Sequence, residues 1–106
     1  MPSYAEYNPE GDFVPMDVVA VCFEQRTQAL LMDRSALPPA FFDLRTGVTG
    51  ELVQKLTQYG IRLACVVPDL RTQPERFQEF AQEASRGSQA RIFESRAAAV
   101  DWLETE

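Results

Sequence analysis

Asp43, Arg45 and Thr46 sit together in the segment FFDLRTG, where an amphipathic pattern begins. A carboxylate, a guanidinium and a hydroxyl at a helix start can bind an anion, because the first-turn N–H groups have no partner inside the helix. Thr46 can also carry a phosphate there. The structural alternative is that Asp43 and Thr46 satisfy the helix start while Arg45 is solvated. Arg86, in the later segment SRG, extends the ligand-binding version. Phe41 and Phe42, with the adjoining prolines, make the loop from Ser35 to Thr46 a contact surface for a protein instead.

The chain has no histidine, the side chain that most often performs acid–base work near neutral pH and the commonest metal ligand. The balance therefore leans away from an enzyme, and no catalytic residue, cofactor or metal site is expected. Asp33 and Asp69 follow successive strand candidates and read as turn residues that bond their own backbone. Gly47 and Gly50 in TGVTGE read as close-packing positions within a helix, with a phosphate cradle as the alternative. Cys22 and Cys65 lie in the apolar runs VVAVCF and LACVV without metal or CxxC spacing. They read as reduced core residues, a disulfide or reactive thiol being the alternatives.

The elements that must position these residues follow from periodicity. Leu44, Val48, Leu52, Leu56 and Tyr59 recur at helical spacing, predicting a central helix capped by Asp43 and closed by Gly60. Leu37-Pro38-Pro39 cannot be helix interior, so the helix begins after them. Phe41 and Phe42 then enter it together, and adjacent residues cannot share a face, so at most one is fully buried. Ile61 to Val67 is a buried strand, and Gln28 to Asp33 another.

Before these, YAEYNPEGDFVP predicts a hairpin around Asn-Pro-Glu-Gly, and Met16 to Arg26 a helix. After them come a helix with a Thr72–Glu75 capping box, a strand over Ala90 to Phe93, and a helix capped by Ser95. Alternating strands and helices imply an α/β layer structure with mostly parallel strands and right-handed crossovers. Leu30, Leu31, Leu52, Leu56, Leu63, Val66, Phe77, Phe80, Ile92, Trp102 and Leu103 form its expected core.

With 106 residues and 45% apolar content, the chain suits one domain over 1–106, residues 1–3 and 104–106 being loose ends. A net charge of −6 opposes nucleic-acid binding, which depends on clustered cations. No signal peptide and no apolar run near the roughly 20 residues of a membrane span is present, so a cytoplasmic location is expected.

FFDLRTGVTGELVQKLTQYGIRLACVVP, the later SRGSQARIFESRAAAVDWL and their spacing resemble a small bacterial family known as domain of unknown function 4180. That resemblance spans about Tyr4 to Leu103 and implies fold more than function. The run ALLMDRSALPPAFFDLRTGVTGELVQKL more distantly resembles the STAS-like layout of anti-sigma-factor antagonists, in which a helix start carries a phosphorylatable Ser or Thr. Thr46 is the matching position. The implied protein is a single STAS-like domain that acts as a non-catalytic interaction or regulatory module, with an unknown protein partner and room for a homodimer. The alternative is a small-molecule or anion binder, conceivably an enzyme, using Asp43, Arg45, Thr46 and Arg86.

Overall fold

The computed structural model describes residues 4–7 and 15–104. Its elements are β1 (Ala5–Glu6), α1 (Pro15–Gln25), β2 (Ala29–Met32), a one-turn α2 (Pro39–Phe42), α3 (Val48–Gln58), β3 (Arg62–Val66), α4 (Glu75–Ala84), β4 (Ala90–Phe93) and α5 (Arg96–Glu104). The four strands form one parallel sheet in the order β1-β2-β3-β4, as the α/β pattern implies. Leu30 pairs with Leu63 and Met32 with Cys65, while Leu63 faces Ala90 and Val66 faces Phe93. For the predicted hairpin, β1 pairs parallel with β2, and the turn and second arm up to Val14 lie outside the described residues.

A strand order that never reverses brings the connecting helices α1, α3 and α4 to one face of the sheet. There Leu30, Met32, Leu63, Cys65 and Val67 pack with Val18, Val19 and Cys22 of α1, Leu52 and Leu56 of α3, and Phe77 of α4. On the opposite face Ala29, Leu31, Ala64 and Val66 meet Ala99 and Leu103 of α5. Burial on both faces explains why these strands read as continuous apolar runs instead of alternating. Phe80, Ile92 and Trp102, expected in the core, are half-buried because they lie at its margin around the edge strand. The Trp102 ring is flanked by the guanidinium groups of Arg62 and Arg91, 5.1 and 5.3 Å from its centroid.

Two arginines anchor the ends of α5. Arg62 donates to the Leu103 carbonyl at 2.9 Å, satisfying an end group that the helix itself leaves open. Arg96 reaches Glu6 at 2.6 Å and Asp33 at 2.8 Å, joining α5 to β1 and to the end of β2. The Arg96 contacts occur where β1 and β2 end, and the loops beyond β2 and β3 build the site at the same end of the sheet.

Candidate functional site

Past β2, Asp33 accepts a hydrogen bond from the Arg34 N–H at 2.7 Å and starts a 3₁₀ turn over Arg34–Ala36. Pro38 is extended, as a residue before proline must be, and Pro39 opens α2 at its first position. Phe41 and Phe42 are both buried, against the expectation that at most one would be. The reason is that α2 is a single turn, covered on more than one side. The Phe41 and Phe42 rings lie 5.6 and 4.9 Å from the Phe77 ring of α4, while Thr49 of α3 donates to the Phe41 carbonyl. The loop from Ser35 to Thr46 therefore does not expose this aromatic pair as a protruding contact surface; Phe42 reaches only the wall of a cleft.

Asp43 ends α2 and caps a second 3₁₀ turn, Leu44–Thr46. Its carboxylate accepts from the Arg45 backbone N–H at 3.1 Å and from the Arg45 guanidinium at 3.0 and 3.1 Å. Those bonds hold the Asp43 carboxyl below the usual carboxylate range and raise Arg45. Thr46 is exposed, with its hydroxyl 2.7 Å from the Ala40 carbonyl and 2.8 Å from that of Asp43; it also accepts from the Val48 N–H at 3.3 Å. Gly47 then adopts φ 79°, a left-handed conformation that glycine enters without a Cβ penalty.

The central helix consequently starts at Val48, later than the periodicity from Leu44 implies. Local bonds from Asp43 and Thr46 offer the backbone an alternative to helix, and Gly47 completes the break. Gly47 is thus not a packing position within a helix. Gly50 is helical, but a Cβ there would meet nothing within 4 Å, so it does not pack closely on the sheet either. Tyr59, placed on the apolar stripe by its spacing, is 42% exposed just past the end of α3.

Asp43, Leu44 and Arg45 line a cleft of about 770 Å³ beyond the C-terminal ends of β2 and β3. Leu37, Pro39, Phe42 and Pro74 supply its apolar walls, and Arg34, Gln73, Glu75 and Arg76 the remaining polar groups. Because the strand order does not reverse, this cleft is built by loops and not by a switch point in the sheet. Arg34 is fixed on two sides. Its guanidinium lies 4.5 Å from the Phe42 ring centroid and binds Asp69 at 3.0 and 3.4 Å, with Gln73 donating to the same carboxylate at 2.9 Å. The bond from Arg34 lowers the Asp69 carboxyl below its ordinary value.

Arg76 also lines the cleft, and among the described residues it makes no ion pair. The capping box expected at the start of α4 does not form. Thr72 lies in a 3₁₀ turn and donates to the Asp69 carbonyl at 2.7 Å, and Pro74 precedes α4 without a side-chain cap.

The structure brings Asp43 and Arg45 into the cleft, with Thr46 beside them in the same turn, but not Arg86. That residue lies between α4 and β4, at the end of the sheet where the parallel strands begin, and its guanidinium is 3.5 Å from Glu83. Arg34, Asp69, Gln73 and Arg76 were not singled out as binding residues by sequence pattern. The available signal was position, since Arg34 and Asp69 each fall just past the end of a parallel strand, where α/β proteins gather functional groups.

Elsewhere, Cys22 and Cys65 are free and buried, as read. Burial pushes the Cys22 thiol up to about 11 and raises Cys65 as well. Among the described residues no cluster of metal-ligating side chains occurs, and no helix is long and apolar enough to cross a membrane.

Neither a curated protein nor a solved structure matches the chain. A family model does, over residues 9–103, a span that contains every residue lining the cleft. The chain belongs to the family described as Domain of unknown function (DUF4180).

Proposed function

We propose that this protein is a binding module without catalysis of its own, and that it holds a small organic molecule in the cleft beyond β2 and β3. The cleft itself carries this reading: about 770 Å³, within the range of roughly 300 to 1,000 Å³ typical of ligand sites, with apolar walls and a few convergent polar groups. Three arginines and two carboxylates line it, a local balance unlike the net charge of −6 of the whole chain. The lack of histidine and the raised thiols of both cysteines leave little for acid–base or nucleophilic work near neutral pH. A fragment screen followed by ¹⁵N–¹H correlation spectra tests it: ligands should move the resonances of Leu44, Gln73 and Arg76. Hits that leave these residues unmoved refute it.

A second reading, a protein-interaction or regulatory module of STAS-like form, draws on another surface. Met16, Phe23 and Tyr59 are exposed, and the Phe23 and Tyr59 rings meet edge to face at 5.6 Å between α1 and the end of α3. A Phe23→Ser variant should lose the partner, or a homodimer, while a cleft variant keeps it. Exposure of Thr46 just before α3 supports a phosphate switch in the same scheme, because the helix start and Arg45 would both attract the added charge. Equal partner binding by wild type, Thr46→Glu and Thr46→Ala would eliminate that switch.

A further inference from the structure

From the arrangement of Arg34 and Arg76 we infer the class of molecule that the cleft takes: a planar aromatic acid, its ring stacked on the Arg34 guanidinium and its carboxylate on Arg76. The inference rests on the cleft being a ligand site.

Arg34 is held as a flat surface. Asp69 binds its Nε and Nη2 edge, and its Cζ lies over the Phe42 ring, 4.5 Å from the centroid. Yet 40% of the side chain is exposed and it lines the cleft, so the fixed guanidinium remains within reach of a ligand there. A guanidinium stacks on aromatic planes, and one already fixed by a carboxylate and a ring loses little further side-chain freedom when a ligand ring joins it. Lysine has no such plane. Pairing with Asp69 also leaves Arg34 with little net attraction for an anion.

The acid group is therefore assigned to Arg76, which lines the same cleft and makes no ion pair among the described residues. Arg45 is already engaged on two nitrogens by Asp43. Leu37 and Leu44 can cover the remaining apolar edge of a two-ring ligand. A saturated acid of the same size keeps the charge and the apolar area but loses the stacking, whereas a neutral aromatic amide keeps the stacking and loses the charge.

The test titrates the full ¹⁵N-labelled chain with 2-naphthoate, its fully hydrogenated counterpart and naphthalene-2-carboxamide. The expected result is that 2-naphthoate moves cleft resonances and binds about fivefold or more tighter than either comparison compound. Arg34→Lys should remove the advantage over the saturated acid, and Arg76→Gln the advantage over the amide. Equal binding of the two acids by the wild-type chain overturns the stacking assignment, and equal binding of acid and amide overturns the role of Arg76; in both cases the cleft still stands as a site. If none of the three compounds moves a cleft resonance, the aromatic-acid assignment is wrong, and the fragment screen decides separately whether the cleft binds anything.

Discussion

Replacing each of two glycines three positions apart by alanine should change stability in opposite directions. Gly47 has φ 79°, and Gly50 lies inside α3; a Cβ at either position would meet nothing within 4 Å. With no steric contact to consider, both effects are conformational. At Gly47, alanine in the left-handed region costs roughly 1 to 2 kcal/mol, offset by about 0.4 to 1 kcal/mol because the unfolded chain becomes stiffer. The net is a loss near 1 kcal/mol, about 4 °C of Tm in a chain of this size. At Gly50 alanine is the better helix former and should gain about 0.5 to 1 kcal/mol. Thermal and urea unfolding followed by circular dichroism should therefore separate the two variants by several degrees, with wild type between them. If both substitutions raise Tm, Gly47 is helical, the central helix begins before Val48, and no left-handed break at Gly47 separates it from the turn of Asp43 and Arg45.

Leu56 is 1% exposed, and Leu56→Ala should cost about 2 to 5 kcal/mol in urea unfolding; an unchanged midpoint would place α3 wrongly. Both thiols should be inert to an aromatic disulfide reagent in the native protein and should both react in denaturant. A bond between Cys22 and Cys65 under non-reducing conditions would contradict their burial as free thiols. Asp69 titrates below its ordinary value of 3.8 in the folded chain, chiefly through the bond from Arg34, so its contribution is complete above that pH. The contribution is lost as pH falls through the lower folded value. Wild type should thus exceed Asp69→Asn in stability at pH 7, and the gap should close only below about pH 4. A gap that closes between pH 5 and pH 7 would point to a different group.

Read alone, the sequence determined the buried strands β2 and β3 and the inner face of the central helix. Leu30 and Leu31, the run from Leu63 to Val66, and the pair Leu52 and Leu56 are apolar at the periods of strand and helix, and that pattern reflects burial directly. It also drew Asp43 and Arg45 together, though at the start of the central helix and not in the 3₁₀ turn that precedes it. It could not decide where the central helix begins, because Leu44 and Val48 fit the helical period whether or not Gly47 breaks the chain between them. That choice lies with the left-handed glycine and the bonds of Asp43 and Thr46, which are matters of backbone geometry.

Only the tertiary structure decided the fate of Phe41 and Phe42. A sequence argument about helix faces assumes a helix covered on one side, whereas a single turn enclosed by its neighbours can bury adjacent side chains. The cleft likewise exists only in three dimensions. Arg34 and Asp69 are 35 residues apart and meet because β2 and β3 are paired neighbours, while Arg86 shares the chain with them but falls at the other end of the parallel strands. Strand pairing and direction are non-local, so no spacing in the sequence shows them.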